Sequence, residues 1–451
     1  MASTYLSRST ASGTDTVWTW SGWLKRSKLG TSQTFFGTGN GSSSDNSLQI
    51  RFADNDTIDY RDFVSSSYNG RLNGGRKFRD TSAWYHFVFV WDTTQNSGGN
   101  RMKAYCNGET ITGFTDIQDP SQNSSAHTSG STTFIGTDGY GGATNFDGSL
   151  SHVHFIDGTA YTPSAFGETD ATTGEWKIKT SPSVTYGTNG FFMLKDGNSV
   201  TDQSGNSNNF TVGGGTLTKT EDCPSNVFCT LNRLNGVQPT GGLNLATGNL
   251  TFADGENGSN YAYVAGTLGA SSGKFYWETK IDDLAEIDQV GVALASANFA
   301  NVATSHGLQG TAYGGKGCQF SNGNKVGDGS QGAYMGGFSV NHIMMIALDL
   351  DNNKITFGRN GSWANGSGGA DQTYSNSTPA YTNLTAGEFY VPAQAKRAGG
   401  SNYGTNRYNF GNGYFGTTAV SNAGTNASGI GIFEYDVPTG FTALSTKGLN
   451  L

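Results

Sequence analysis

Short runs of alternating apolar and polar residues recur along the chain. Trp18 and Trp20 occupy alternate positions of the segment 17–25, which is the period of a strand with one buried face. Residues 84–91 (WYHFVFVW) are almost all β-forming types, as in a strand covered on both faces. No helical period persists beyond about two turns, so the pattern predicts strands and not helices.

Glycine and asparagine mark the turns between these strands. Asn107-Gly108 ends one predicted strand and residues 351–353 separate two apolar runs, as in β-hairpins. Glycine contributes 67 of the 451 residues, whereas 12% are aromatic and only 14% are charged. Disordered chains lack aromatic residues. The sequence therefore predicts an all-β fold with many strands and tight turns.

The pattern divides into two parts, separated by a stretch with little periodicity that is rich in Gly, Asn and Thr. We predict a first β-sandwich at residues 1–221, a linker at 222–240, and a second β-sandwich with a C-terminal tail at 241–451. Each part is long enough to bury a core of its own. No heptads occur, so we expect no coiled-coil stalk.

The charge pattern argues against nucleic acid as a partner. The net charge is −8, and lysine and arginine never form the concentrated run that phosphate binding requires. The first residues, MASTYLSRSTASG, lack the apolar segment of a signal peptide. No apolar run approaches the ~18 residues of a membrane span. We therefore expect synthesis in a cytoplasm and no membrane insertion.

The four cysteines show no metal-binding spacing. Cys106, Cys223, Cys229 and Cys318 include no Cys-x-x-Cys pair, which argues against a structural zinc site. Cys223 and Cys229 are close enough to bridge a small loop. Thiols stay reduced in a cytosol, so buried thiols are the first expectation and the bridge stays the alternative.

Two stretches resemble structural proteins of marine bacteriophages, such as cyanophages and pelagiphages. The stretch 146–212 contains FDG, VHFIDGTA, FGETD, TGEWKIK, YGTNGF and DQSGNSNNFTV, which resemble the end of the concanavalin-A-like (laminin-G-type) domain in those proteins. The ending VPTGFTALSTKGLNL at 437–451 resembles the P-x-G-F-x-A-L-x-T-x-N-L ending of the same proteins, with Gly448-Leu449 as an insertion.

Four segments between these stretches resemble a SPRY domain. They are 273–281 (GKFYWETKI), 289–296 (QVGVALAS), 343–361 (IMMIALDLDNNKITFGRNG) and 409–411 (NFG). Together the resemblances imply two tandem antiparallel β-sandwiches, a concanavalin-A-like jelly roll followed by a SPRY-like sandwich.

The resemblance also implies a function, as a structural protein on the exterior of a phage particle. It would be a fibre, a tail appendage or a capsid decoration, made in the host bacterial cytoplasm and placed on the virion surface. Its partners would be other virion proteins and host cell-surface glycans, and it would form a homo-oligomer, with a trimer as the first expectation. Because fold alone does not define function, two alternatives stay open. They are a polysaccharide-degrading concanavalin-like enzyme and a purely architectural protein without a ligand.

No complete catalytic pattern is present, so we predict no catalytic residues. Glu286-Ile287-Asp288 resembles part of the Glu-x-Asp-x-Glu signature of concanavalin-like glycoside hydrolases, but Val290 stands at the third acidic position. A retaining mechanism needs two carboxylates about 5 Å apart. His152 and His154 lie two apart on a predicted strand, which suits a metal pair, yet no third ligand is signalled.

Two candidate binding sites follow from loop residues. Asp138, Asn145 and Asp147 flank a Gly-rich loop and could hold calcium, as the resemblance to laminin-G-type domains implies, or could simply favour turns. No other cofactor is predicted. Aromatic residues in predicted loops form the candidate glycan-contact set, although each alone is more often a packing residue: Tyr140, Tyr261, Tyr263, Tyr313, Tyr334 and Trp363.

Overall fold

The chain divides into two compact units of antiparallel strands. The computed structural model describes residues 4–39, 46–139, 142, 144–195, 199–237, 243–253, 256–257, 261–297, 299, 307–310, 313–398 and 404–451. Contacts within the chain separate the units Met1–Lys219 and Thr220–Leu451. Among the described residues the helical segments are short 3-10 turns, and none is long and apolar enough to cross a membrane.

The first unit contains two large sheets. Its strands are β1 (Tyr5–Ser9), β2 (Val17–Arg26), β3 (Gln33–Gly39), β4 (Ser47–Phe52), β5 (Ile58–Val64), β6 (Ser67–Gly74), β7 (Tyr85–Asp92), β8 (Met102–Cys106), β9 (Glu109–Thr110), β10 (Phe114–Gln118), β11 (Thr132–Ile135), β12 (Gly148–Asp157), β13 (Gly167–Thr169), β14 (Trp176–Ile178), β15 (Phe191–Met193) and β16 (Thr211–Gly214). Within the described residues, eight strands form one sheet in the order β10-β6-β5-β4-β3-β11-β1-β16, and six form another in the order β15-β12-β2-β7-β8-β9. The 3-10 turns are Gly98–Asn100 and Pro163–Ala165.

Aromatic side chains join these two sheets face to face. The fully buried rings of Trp18 and Tyr60 lie 5.8 Å apart between centroids, and those of Trp20 and Phe36 lie 6.0 Å apart. Such pairs each stabilise a core by about 0.5–1.5 kcal/mol beyond the area they bury. On the other face of β7, Val88 packs in a smaller apolar cluster. The predicted strand at 84–91 is therefore confirmed as covered on both faces.

The second unit also contains two large sheets. Its strands are β17 (Leu231–Val237), β18 (Leu245–Ala246), β19 (Thr251–Ala253), β20 (Glu256–Asn257), β21 (Ala262–Gly266), β22 (Lys274–Asp283), β23 (Ile287–Leu294), β24 (Lys316–Gln319), β25 (Lys325–Gly327), β26 (Ser330–Gly332), β27 (Ile343–Asp349), β28 (Lys354–Arg359), β29 (Ser362–Ala364), β30 (Ala370–Gln372), β31 (Tyr390–Ala398), β32 (Thr405–Asn409), β33 (Tyr414–Phe415), β34 (Thr418–Ala419) and β35 (Thr442–Ala443). The 3-10 turns are Gly307–Gln309, Tyr374–Asn376 and Gly448–Asn450.

The second core lies between a sheet ordered β17-β21-β31-β23-β24-β25-β26 and a sheet ordered β18-β19-β32-β22-β27-β28-β29-β30. Trp277 and Ile346 from one sheet pack in the same cluster as Val264 and Val290 from the other. The C-terminal tail belongs to this unit, because β35 pairs in parallel with β22 and Leu444 is buried. The fold class is therefore all-β, with two tandem antiparallel β-sandwiches, as the sequence predicts.

The predicted linker at 222–240 is wrong. Its residues Phe228, Cys229 and Leu231 are buried in the cores of the second unit, and β17 pairs with β21. The low periodicity misled the prediction because the described part of this stretch contributes isolated apolar residues and one strand, β17. No disulfide joins the four cysteines, and Cys106, Cys229 and Cys318 are buried as expected.

We expect the two units to fold separately, provided that the cut respects these buried residues. Fragments 1–221 and 222–451 are each expected to melt cooperatively, because each keeps its own core. The fragment 241–451 is expected not to fold, because it lacks Phe228 and Leu231, whose losses would cost about 3–5 and 2–5 kcal/mol. Circular dichroism during heating measures this. A cooperative melt of 241–451, or aggregation of 1–221, would contradict the expectation.

Candidate functional site

One face of the eight-stranded sheet in the first unit carries polar side chains on three neighbouring strands. Residues two apart in a strand share a face. The apolar residues of β4 to β6 therefore point into the core, and those between them point away from it. The register sets Gln49 opposite Arg61, Arg61 opposite Arg71, and Arg51 opposite Asp59. We call this set the arginine face: Gln49, Arg51, Asp59, Arg61, Arg71 and Asn73.

A buried carboxylate at Asp59 holds the three arginines of this face in place. Arg51 Nη2 lies 2.8 Å from Asp59 Oδ2, Arg71 Nε donates to Oδ1 over 2.9 Å, and Arg61 Nη1 lies 3.6 Å from Oδ2. Burial acts to raise the pKa of Asp59, but the hydrogen bond from Arg71 and the neighbouring arginine charges outweigh it. The pKa therefore lies below its ordinary value, and the carboxylate stays ionised.

The arginine face has an excess of positive charge. Arg71 also pairs with Asp116, whose side chain is half exposed. Three guanidinium groups thus face two carboxylates, which leaves one net positive charge. The three arginine side chains are only 14–16% exposed, so their charged groups lie along the sheet and do not extend into solvent.

Three buried polar atoms of this face have no hydrogen-bond partner within the described residues: Gln49 Nε2, Arg61 Nε and Asn73 Oδ1. Gln49 Oε1 accepts a hydrogen bond from Arg61 Nη2 over 2.7 Å, so its amide nitrogen is the atom left over, and the residue is only 1% exposed. Buried polar groups nearly always have partners, and each one without a partner costs about 1–3 kcal/mol. All three atoms are sealed from solvent, so a bound molecule does not reach them in this structure.

Two aromatic rings lie beside the arginine face. Phe63 and Tyr68 are half-buried, with their ring centroids 5.0 Å apart. The guanidinium carbon of Arg71 lies 4.5 Å from the Tyr68 centroid. An amphipathic tyrosine offers both an apolar ring and a hydroxyl. Charged, polar and aromatic groups therefore lie together at this surface, which is the combination that a sugar ring with polar substituents requires.

Four of the predicted glycan-contact residues are wrong, because their side chains are buried. Tyr261, Tyr263, Tyr334 and Trp363 are 2%, 0%, 2% and 4% exposed. The first two pack in an apolar cluster on the outer side of a sheet, and the last packs against Tyr374 at 5.0 Å between centroids. The sequence signals aromatic residues near loops, but it does not show which loops fold back over them.

The other two predicted glycan contacts have different outcomes. Tyr313 is half-buried, and its ring lies 6.0 Å from Phe299 and 6.3 Å from Tyr263. It therefore packs at the edge of the same apolar cluster. Tyr140 lies outside the described residues.

The predicted calcium residues lie in one loop of the first unit. The Asp138 carboxylate accepts hydrogen bonds from the Gly142 and Thr144 backbone amides over 3.0 and 3.2 Å and from Thr144 Oγ1 over 2.8 Å. Asn145 Nδ2 donates to Gly142 O over 2.7 Å, and Asp147 is half-buried. Asp138 thus closes the turn, as the alternative interpretation expects. Among the described residues no group of three or more His, Cys, Asp or Glu could hold a metal, and calcium stays a prediction.

His152 and His154 do not form the pair that their spacing suggests. A bulge between Ser151 and His154 interrupts the strand, and His152 has a φ of 47°. His154 is buried, stacks on Phe192 at 4.0 Å between centroids and hydrogen-bonds Tyr186 Oη over 2.9 Å. Burial holds the pKa of His154 well below its ordinary value. This residue is therefore a neutral core histidine.

Ser21 and His86 approach each other as a nucleophile and a base would. Ser21 Oγ lies 2.9 Å from His86 Nε2, but Trp176 Nε1 donates to His86 Nδ1 over 2.9 Å. Because an indole N–H only donates, Nδ1 is the unprotonated nitrogen and Nε2 carries the proton. Burial also lowers the pKa of His86 to about 3. The imidazole therefore donates to the serine and cannot accept its proton.

The acidic pair after β22 is divided between solvent and core. Glu286 is exposed and pairs with Arg397 over 3.1 Å, whereas Asp288 is fully buried and lies 3.9 Å from Lys396 Nζ. The two carboxylates are thus in different environments. This arrangement does not present two acids to one substrate, as glycoside hydrolysis requires.

The second unit has an open cleft of about 320 Å³ beside Tyr381. Several of its polar side chains have partners in the chain. Lys325 Nζ donates to Ala380 O over 3.1 Å, and Asn383 Nδ2 donates to Asp328 Oδ2 over 3.2 Å. Unlike the arginine face, the lining shows no buried polar atom without a partner in the described residues.

The arginine face was not found from the sequence, although a signal was present. Residues 48–52 (LQIRF) and 58–62 (IDYRD) alternate apolar with polar or charged residues, and the segment 71–73 (RLN) does the same. Each run predicts one polar face. Only the register places three arginines around one aspartate.

Comparisons with known proteins support the fold of the first unit. Residues 2–164, which include the arginine face, match a family model described as the concanavalin A-like lectin/glucanases superfamily. The first sandwich is therefore concanavalin-A-like. No curated protein matches the chain.

Among solved structures, the chain is similar to two SPRY domains and one pentraxin. The SPRY domain of human HERC1 has 15% identity and a TM-score of 0.30, with 40% of this chain and 96% of that chain covered. A human SPRY domain has 9% identity and a TM-score of 0.26, covering 40% and 95%. A heptameric SAP-like pentraxin from Limulus polyphemus has 16% identity and a TM-score of 0.28, covering 36% and 73%.

Proposed function

We propose that this chain binds carbohydrate through the arginine face, as part of the exterior of a bacteriophage particle. The observation that carries the proposal is the group of partly exposed charged and aromatic side chains on one sheet face: Arg51, Arg61, Arg71, Phe63 and Tyr68. That face lies within the residues that match a lectin and glucanase family. Sugar hydroxyl groups can accept hydrogen bonds from guanidinium groups, and the apolar side of a sugar ring can pack on aromatic side chains.

We propose that the chain is not an enzyme. Three features support this: Val290 replaces the third acid, Asp288 is buried away from Glu286, and His86 is held in the wrong tautomer for a base. The rival proposal, a polysaccharide-degrading enzyme, loses its predicted acid pair, because Asp288 is buried and Glu286 is exposed. The other rival proposal is a purely architectural protein, which would bind no glycan.

The phage origin is supported by the motifs at 146–212 and 437–451. On this proposal the chain is a fibre, tail appendage or capsid decoration on the virion surface. It contacts other virion proteins and assembles as a homo-oligomer, with a trimer as the first expectation. Antibody labelling of purified virions tests the location, and sedimentation of the isolated protein tests the assembly. A monomer absent from the particle would overturn this part.

The central test combines binding and turnover. The full chain is expected to bind at least one class of polysaccharide on a glycan array and to release no reducing ends from it. Glu286→Gln is expected to leave binding unchanged, because Glu286 is exposed in the second unit, where it pairs with Arg397. Absence of binding to every glycan would contradict the proposal. Turnover that Glu286→Gln abolishes would favour the enzyme instead.

A further inference from the structure

We propose that the second unit forms a covalent cross-link inside its own core, an amide bond between Lys396 Nζ and Asn406 Cγ. Asp288 transfers the protons of this reaction. The bond is an isopeptide link, which forms once in each folded chain and releases ammonia. It joins β31 of one sheet to β32 of the other. The reaction is intramolecular and does not depend on glycan binding.

Three reactive side chains are buried at one place in the second unit. Lys396, Asp288 and Asn406 are each 0% exposed. Asp288 on β23 lies directly opposite Lys396 on β31. Lys396 Nζ donates to Phe252 O over 2.9 Å, and Phe252 lies directly opposite Asn406 on the other sheet. An amine, a carboxylate and a carboxamide therefore meet between the two sheets, and no reagent has to enter from solvent.

Gln394 connects the carboxylate to the carboxamide. Its Nε2 donates to Asp288 Oδ1 over 2.5 Å and to Asn406 Oδ1 over 2.6 Å. Tyr408 Oη in turn donates to Gln394 Oε1 over 2.6 Å and fixes the amide group. The Asn406 carbonyl is thus polarised before any reaction. The same N–H stabilises the negative charge that develops on Oδ1 when an amine attacks Cγ.

Two atoms of this cluster have no hydrogen-bond partner within the described residues: Asp288 Oδ2 and Asn406 Nδ2. Buried polar groups nearly always have partners, so two such atoms in one cluster require an explanation. They are the two atoms that proton transfer in this reaction uses. Asp288 Oδ2 lies 3.9 Å from Lys396 Nζ, and Asn406 Nδ2 is the nitrogen that leaves as ammonia.

Burial favours the uncharged forms that the reaction needs. It raises the pKa of Asp288, while the charge of Lys396 and the amide groups of Gln394 and Asn406 act in the opposite direction. Transfer of a proton from Lys396 to Asp288 converts two charged groups into two neutral ones, which a core without water accommodates better. The neutral amine then has the lone pair that a nucleophile requires.

The reaction balances without any added reagent. Lys396 gives one proton to Asp288, and its amine attacks Asn406 Cγ, so that an N–C bond forms and the carbonyl electrons move to Oδ1. Asp288 passes its proton to Nδ2 and takes a second one from Nζ, the Cγ–Nδ2 bond breaks, and ammonia leaves. Asp288 keeps one proton, so the product carries no charge. The bond holds the two sheets together without a disulfide, since all four cysteines are free.

A second set of the same residue types, nearer the surface of the same unit, is an internal control. Lys354 and Lys274 Nζ lie 3.6 and 3.8 Å from Asp349 Oδ2, and the two lysine side chains are 30% and 33% exposed. Asn352 is exposed, and its Nδ2 donates to both carboxylate oxygens of Asp349. Water stabilises these amines in the charged form. We therefore expect no link in this set.

Mass spectrometry of the full chain tests the inference. The denatured wild type is expected to have a mass about 17 Da below that of its sequence, which is the mass of one ammonia. Trypsin cuts after lysine and arginine, so the peptides 360–397 and 398–407 separate if no bond joins them. We expect them to stay joined, with Lys396 uncut and fragmentation placing the bond at Asn406.

Three variants test the roles of the residues. Lys396→Met removes the amine with little change in side-chain length and should abolish the link. Asp288→Asn keeps the shape of the side chain but cannot take a proton, so it should slow linkage at least about 100-fold, as expected for the loss of general acid–base catalysis. Lys354→Met is the matched control in the surface set and should leave the link intact.

A wild-type mass equal to that of the sequence would overturn the inference, and this measurement decides it even if Asp288→Asn does not fold. A loss of ammonia that maps to Asn406 but leaves Lys396 open to trypsin would overturn it too, because it indicates a succinimide made with the next backbone amide. A link that forms equally fast in Asp288→Asn would overturn the role of Asp288. A link that disappears in Lys354→Met would place the bond at the wrong lysine.

Discussion

Replacing Asp288 by Asn is expected to destabilise the second unit by about 3–5 kcal/mol, because it removes one charge of a buried ion pair with Lys396. Both side chains are fully buried, with Lys396 Nζ 3.9 Å from Asp288 Oδ2. Lys396 Nζ also donates to Phe252 O over 2.9 Å and lies 4.9 Å from the Phe252 ring centroid. For a unit of this size the melting temperature should fall by roughly 10 °C.

Calorimetry of the full chain measures this loss of stability as a lower melting temperature of the transition that belongs to the second unit. The control Asp371→Asn alters an exposed aspartate of the same unit and should stay within about 0.5 kcal/mol of the wild type. The double variant Asp288→Asn with Lys396→Met removes both charges and should recover much of the loss. A wild-type melt of Asp288→Asn alone would show that the pair is not ionised in the folded protein.

Acid is expected to destabilise the first unit between pH 6.5 and about 3, because His86 is buried as the neutral imidazole. Its pKa is lowered to about 3 by burial, against an ordinary value of 6.5. A folded-state pKa below the unfolded one gives stability that is present above pH 6.5 and is lost as the pH falls. The full difference corresponds to about 4–5 kcal/mol. His154 is buried and shifted in the same direction, so it adds to the slope.

The test compares melting temperatures from pH 7 to pH 3 for wild type and His86→Gln. A glutamine can accept from Trp176 and donate to Ser21, as His86 does, but it does not titrate in this range. The variant should therefore show a shallower fall with acid, measured against its own stability at pH 7. His342→Gln alters the second unit and should leave the slope of the first unchanged. An equally steep fall in His86→Gln would contradict this account.

His127 is a useful contrast within the same unit. A hydrogen bond to Asp62 raises its pKa despite partial burial. Protonated His127 therefore contributes to folding stability below pH 6.5. This contribution is lost as the pH rises through the pKa of His127 in the folded protein. Its side chain is 30% exposed, so solvent screening keeps this effect small beside that of His86.

The local pattern was enough to predict the all-β fold class. Alternation around Trp18 and Trp20 and the β-forming run at 84–91 predict strands because a strand has a side-chain period of two. The turn residues between the runs predict antiparallel neighbours. Both predictions depend only on residues close in sequence. The sandwich then follows, because apolar faces of sheets must pack against each other.

Burial of outer faces depended on distant parts of the chain. Tyr261 and Tyr263 lie near predicted loops, yet both are buried, because a sheet face can be covered by residues far away in sequence. Phe228 and Leu231 were assigned to a linker for the same reason: isolated apolar residues have no period, and their partners lie far along the chain. Local pattern cannot report either kind of contact.

In the candidate site, too, the local sequence pattern predicts one part of the arrangement and the tertiary structure decides the rest. The alternation in 48–52 and 58–62 already indicates polar faces on single strands. It does not state which strands are neighbours or in what register, and a slip of one residue would reverse every face. Pairing of β4, β5 and β6 brings Arg51, Arg61 and Arg71 around Asp59. The side-chain types were therefore determined by sequence alone, whereas their meeting at one surface, and the polar atoms left without partners there, required the folded sheet.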